Sequence, residues 1–111
     1  MPKKPADPRE AMKEAARSMG DAQEGTACTQ TSFKAGNKSF FFVGEQGGRL
    51  KAMFRLKDSL PQAESMAAAT PEDVQVGKHG WVTARFTAEK PMPARVWKKW
   101  LKESFSIATG R

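Results

Sequence analysis

The sequence predicts an α+β fold: an antiparallel β-sheet of about five strands with helices packed on one face, in the order α-β-β-β-α-β-β-α. Three observations carry this. Ser32–Gly44, reading SFKAGNKSFFFVG, places aromatic and β-branched residues on both sides of a turn. Arg49–Leu56 and Trp81–Thr87 alternate apolar and polar residues with the period of two of a half-buried strand. Segments near the two ends repeat apolar residues at spacings of three and four, as amphipathic helices do. Hairpins interrupted by helices point to a layered α+β arrangement.

Met1–Asp7, rich in Pro and Lys, reads as a flexible N-terminus. From Pro8 to about Met19 the sequence predicts a helix. Asp7 is placed to cap it, Pro8 suits the first turn, Gly20 suits the exit, and Ala11, Met12, Ala15, Ala16 and Met19 form one apolar stripe. Asp21–Gly25 reads as a connection, and Thr26–Ala35 and Lys38–Gly44 as the first two strands. In the turn Ala35-Gly36-Asn37-Lys38, Gly accepts a positive φ without steric cost. Glu45-Gln46-Gly47-Gly48 is a second turn. The third strand follows, with Leu50, Ala52, Phe54 and Leu56 on the core face and Lys51, Met53, Arg55 and Lys57 on the other.

Asp58 or Ser59 is placed to cap a second helix running to about Ala69, with Pro61 in its first turn. Val74–Val76 is a short strand and Gly77-Lys78-His79-Gly80 a turn. In the next strand Val82, Ala84 and Phe86 oppose Trp81, Thr83, Arg85 and Thr87. Glu89–Pro93 is a linker, and Ala94 to about Ala108 is the closing helix. Its apolar side holds Val96, Trp97, Trp100, Leu101, Phe105 and Ala108, while Arg95, Lys98, Lys99 and Lys102 share an exposed stripe. With helices on one face, the other sheet face is expected to stay open to solvent. The third and fifth strands would make it basic and partly aromatic.

With 111 residues the chain fits one domain that can bury a core without disulfides. A single cysteine, Cys28, and a single histidine, His79, rule out an internal disulfide and a four-ligand zinc site. Cys28 reads as a small core residue. Asp7, Glu10 and Glu14 are interleaved with Lys13 and Arg17 and so offer no metal site. No cofactor is expected. The N-terminus has no apolar signal core and no run approaches the roughly 20 apolar residues of a membrane span, so the cytoplasm is the expected compartment and no membrane partner is expected.

The charge is uneven. The formal net charge is +7, and all of it lies in residues 32–111. A one-sidedly basic domain points to a polyanion, most often nucleic acid. Lys34, Lys38, Arg49, Lys51, Arg55, Lys57, Lys78 and Arg85 all fall on hairpin strands or turns. Hairpin-type binders place such cations on phosphates, whereas an ordinary solvated sheet face also carries them. Trp81, beside Lys51, Arg55 and Arg85, is a candidate stacking platform for unpaired bases, or else a cap over the sheet edge. The helical stripe Arg95, Lys98, Lys99 and Lys102 is a second candidate surface, or an ordinary wet helix face. His79 has no acid or base near it in sequence. No triad, carboxylate pair, phosphate loop or metal cluster appears, so no enzyme is expected.

Several of these stretches together resemble a known family. Glu24-Gly25-Thr26 followed by Ser32-Phe33-Lys34-Ala35-Gly36-Asn37-Lys38 and the Phe run is similar to the opening hairpin of MmcQ/YjbR-like proteins. Pro71-Glu72-Asp73-Val74 with Gly80-Trp81-Val82-Thr83-Ala84-Arg85-Phe86 resembles the family's Trp-containing strand, and Leu101–Ala108 resembles its closing helix. The resemblance spans about residues 8 to 109. It implies a frataxin-like fold whose hairpins form a double wing, and a DNA-binding role. The expectation is therefore a small, monomeric, non-enzymatic protein that contacts DNA phosphates with low specificity through Lys34, Lys38, Arg49, Lys51, Arg55, Lys57, Lys78, Trp81 and Arg85. The alternatives are a protein-interaction domain using Phe41, Met53 and Trp81 on the open sheet face, and a small-molecule-binding regulatory domain with a pocket between sheet and helix.

Overall fold

A computed structural model describes residues 8–20, 22–27, 30–87 and 89–110. Helix α1 (Pro8–Arg17) leads into a six-stranded sheet built from β1 (Ala22–Ala27), β2 (Gln30–Ala35), β3 (Lys38–Gln46), β4 (Arg49–Arg55), β5 (Val74–Val76) and β6 (Trp81–Phe86). Helix α2 (Leu60–Ala69) connects β4 to β5, and α3 (Ala94–Thr109) closes the chain. The strand order is β1-β2-β3-β4-β6-β5, with every pair antiparallel. The α+β class, the single helix-covered face and the element order agree with the sequence pattern. Asp7 and Cys28 lie outside the described residues.

The strand count differs from the sequence-based expectation. Ala22–Ala27 is a strand of its own, and the expected Thr26–Ala35 strand divides into β1 and β2, paired from Ala22↔Ala35 to Ala27↔Gln30. The physical reason is that β1 is an edge strand exposed at Gln23, Glu24, Gly25 and Thr26. With neither face buried there, no hydrophobic alternation marks it. Its order comes from backbone pairing and from the bidentate grip of Arg17 on Glu24, whose Nε and Nη2 donate at 2.7 and 3.1 Å.

Strict alternation would put Phe40 and Phe42 on one face and Phe41 on the other, so it cannot bury the neighbours Phe40 and Phe41 together. A β-bulge resolves this: Phe33 pairs with Phe41 but Lys34 pairs with Ser39, which leaves Phe40 as the extra residue. Phe40 and Phe41 are both fully buried, and Phe42 turns to the opposite side. Phe41, expected on the open face, is therefore core, and Phe42 takes that place. Phe40 meets Phe105 of α3 edge-on at 5.1 Å, and Phe41 meets Phe54 at 5.2 Å. Each such ring contributes roughly 1.5–3 kcal/mol by burial.

Beside the bulge, where the β3–β4 ladder stops at Phe41↔Phe54, α3 supplies the missing partner. Ser104, fully buried, accepts the Arg55 N–H at 2.7 Å and donates to the Phe40 carbonyl. The rest of the core joins Trp97, Trp100 and Leu101 of α3 and Met12 and Ala16 of α1 to the inner residues of β2, β3, β4 and β6. Trp100 Nε1 donates to Gln62 of α2 at 3.0 Å, tying the two helices together on this side.

The start of α2 departs from the expected Ser or Asp cap. Neither side chain caps it; Ser59 Oγ instead donates to Glu103 Oε1 of α3 at 2.7 Å. Glu103 Oε2 accepts the N–H groups of Lys57 (2.5 Å) and Ser59 (3.0 Å), so a carboxylate from another helix fixes the chain just before α2. Burial pushes the Glu103 carboxyl up, but these hydrogen bonds outweigh it and hold it below the usual glutamate value. Among the described residues no helix is long and apolar enough to cross a membrane.

Candidate functional site

The helices cover one face of the sheet, and none of the described helices lies on the other. Residues paired across antiparallel strands point to the same side, so the register identifies the uncovered face. On β4 the pattern is strict: Leu50, Ala52 and Phe54 are buried, while Lys51, Met53 and Arg55 are half-buried on the uncovered side. On β6, Val82, Ala84 and Phe86 are buried, while Trp81, Thr83 and Arg85 face outward. The expected basic, partly aromatic surface is present, and the two strands that carry it are direct neighbours.

Their register sets its chemistry. Lys51 lies opposite Arg85, Met53 opposite Thr83, and Arg55 opposite Trp81. Phe42 of β3 lies opposite Met53. The backbones of β3 and β6 are two strand spacings apart, about 10 Å. The Phe42 and Trp81 ring centroids are nevertheless 5.6 Å apart, inclined at 55°. The two rings lean together over β4. Lys34 on β2 extends the same face and is exposed. The charged side chains at outward strand positions among the described residues are Lys34, Arg49, Lys51, Arg55 and Arg85, all cations. The strand carboxylates Glu24 and Glu45 pair in register with the buried Phe33 and Leu50 and so belong to the helix-covered side.

The nine residues singled out in the sequence do not form one cluster. Lys34, Lys51, Arg55, Trp81 and Arg85 share the uncovered face. Lys38 pairs with the buried Ala35 and so stands exposed on the helix side at the hairpin end. Lys57 and Lys78 are exposed at the same end of the sheet, one just past β4 and the other in the turn before β6. Arg49 is occupied: its Nη2 donates to Asp73 Oδ1 and, at 3.0 Å, to the Arg85 carbonyl, and its Nη1 reaches the Glu72 carbonyl at 3.3 Å. It clamps β4 to the turn that opens β5. Arg85 Nη1 donates to Gln75 at 2.9 Å.

The turn before β6 is built on an unusual backbone. His79 adopts φ 59°, ψ 27°, the left-handed region, and its carbonyl accepts Arg55 Nε at 3.1 Å. That bond ties the Arg55 head to the turn that leads into β6. On the opposite side of the molecule Arg95, Lys98, Lys99 and Lys102 are all exposed and, with Asp58, Glu103 and Ser106, line an open depression of about 670 Å³. No group of three metal-ligating side chains occurs among the described residues.

Sequence reasoning missed Phe42, because nothing in three consecutive Phe residues says which one a bulge will turn outward. It also missed Ser104 and Glu103, whose partners lie 49 and 44 residues away or more.

No family model matches the chain, and no curated protein matches it. Among solved structures, the chain is similar to Deinococcus radiodurans protein DR2400, which carries the DUF419 domain. The TM-score is 0.73 at 17% sequence identity, over 97% of this chain and 83% of that one. DUF419 is a domain of the MmcQ/YjbR-like type. At this identity the likeness shows the fold.

Proposed function

We propose that this chain is a small, non-enzymatic nucleic-acid-binding domain of the MmcQ/YjbR-like type that holds phosphates on its uncovered sheet face. The observation that carries the reading is the charge of that face: every charged outward strand position among the described residues is a cation, while the strand carboxylates lie on the helix side. Lys34, Lys51 and Arg55 supply the phosphate contacts on the face, and Lys57 and Lys78 extend them at one end. Contacts of this kind fix position without reading sequence, so the binding is of low specificity.

The test is a salt series with a labelled duplex and a labelled single strand, for the parent and for Lys51→Glu/Arg55→Glu, with circular dichroism confirming the fold of the variant. Affinity that falls steeply with salt and collapses in the double variant is expected. Affinity indifferent to salt, or unchanged by the charge reversal, would overturn the reading. A protein partner on the same face is the second reading, favoured by the half-buried Phe42, Met53 and Trp81 at its centre. Self-association in sedimentation that Trp81→Glu abolishes is its signature.

A further inference from the structure

We infer that the ligand of the uncovered face is a single strand, whose unpaired bases stack on Trp81 and Phe42 while Lys51, Arg55 and Lys34 hold its phosphates. This rests on the nucleic-acid reading above and narrows it to one class of substrate.

The geometry separates single strands from duplexes. A duplex hides its bases, so duplex readers push a helix or a two-stranded ribbon into a groove. No described helix lies on this face. The tip that joins β3 to β4 is a two-residue turn, Gly47-Gly48, and the cation beside it, Arg49, is committed to Asp73 and two carbonyls. What the face offers at its centre is apolar: two rings 5.6 Å apart, with Met53 opposite Phe42 in the register. A phosphate backbone gains nothing from such a surface, whereas a base has a π-face that matches it. The cations border the rings rather than replace them. Arg55 sits directly opposite Trp81, held by the His79 carbonyl, and Lys51 is the next residue after Met53 on the same face. Aromatic rings on a sheet bordered by cations suit a strand lying flat, with two rings for two bases.

The experiment compares three probes under one buffer: a hairpin-free oligo-dT, an oligo-U of equal length, and a blunt duplex. The proteins are the parent, Trp81→Ala, Trp81→Phe and Phe42→Ala, each checked for an unchanged melting temperature. Trp97 and Trp100 are 5% and 0% exposed in the core, so quenching of intrinsic fluorescence on binding reports Trp81. The expected result is tighter binding of either single strand than of the duplex, with quenching. Trp81→Ala is expected to weaken it by about 5- to 150-fold, the loss of one stacked base, with Trp81→Phe restoring most of it and duplex affinity unmoved. Duplex bound as tightly as single strand, with Trp81→Ala losing nothing, overturns this inference and leaves the phosphate-binding reading standing. Absence of binding to all three probes overturns both.

Discussion

Lys51 of β4 and Arg85 of β6 lie directly opposite each other on the uncovered sheet face. Like charges at opposed positions destabilise a sheet, by roughly the 0.2–1 kcal/mol that opposite charges contribute. A neutral residue at position 51 would relieve that cost. Lys51→Thr is therefore expected to raise stability by a few tenths of a kcal/mol in urea unfolding. The same variant should weaken nucleic-acid binding and reduce the salt slope by about 0.7 to 0.9, one phosphate contact. A variant that is both more stable and tighter in binding would show that Lys51 has no part in the interface.

Ser104 satisfies two backbone groups that the β-bulge leaves outside the ladder, the Arg55 N–H and the Phe40 carbonyl. Ser104→Ala keeps the shape and removes both partners inside the core. The expected loss is about 2–4 kcal/mol, well above that of an exposed Ser→Ala change. Guanidinium unfolding with an unchanged m-value would tie the loss to the native state. A loss below about 0.5 kcal/mol would mean that the bulge is satisfied in another way.

Two adjacent residues in the turn before β6 should respond with opposite signs. His79 is held at φ 59°, where a side chain strains the backbone, so His79→Gly is expected to be neutral or to stabilise by up to about 1 kcal/mol. Gly80 sits at φ 82°, and a Cβ there would stand 2.4 Å from the Leu56 carbonyl oxygen, whose strand is tied to it by the 2.8 Å Leu56 N–H to Gly80 carbonyl bond. Gly80→Ala is therefore expected to cost about 2 kcal/mol or more. Thermal melts of the pair decide this. A destabilised His79→Gly would mean that the imidazole holds the turn.

Glu103 links α3 to the start of α2 through its carboxylate, and its pKa is lowered in the folded state. A depressed carboxyl contributes stability above its unfolded value of about 4.3 and loses it as pH falls through the folded value. The parent should thus exceed Glu103→Gln by roughly 1–2 kcal/mol at pH 7, and the gap should narrow as pH falls past the unfolded value of about 4.3 and close only below the lowered folded value. Urea midpoints at pH 7 and pH 3.5 measure it. A gap that does not narrow at all between the two would assign the effect to packing rather than to charge.

Much of this architecture was legible along the chain, because the third and fifth expected strands write their orientation in strict alternation. Leu50, Ala52 and Phe54 against Lys51, Met53 and Arg55, and Val82, Ala84 and Phe86 against Trp81, Thr83 and Arg85, say which side is wet. The helical stripes of α1 and α3 were equally plain. Strand β1 was not, since an exposed edge strand has no buried face to impose a period. The fate of the Phe run was not either, since a bulge is a choice of register made by the partner strand.

The sequence by itself determined the fold class, the outward residues of β4 and β6 and the excess of positive charge, because burial and periodicity are local properties. Only the tertiary structure decided that β4 and β6 are neighbours, that Phe42 rather than Phe41 joins Trp81, that Arg49 is spent on Asp73, and that Ser104 and Glu103 bind backbone groups dozens of residues away. Those outcomes depend on strand order and register, which arise from contacts between segments distant in the chain and leave no pattern within any one of them.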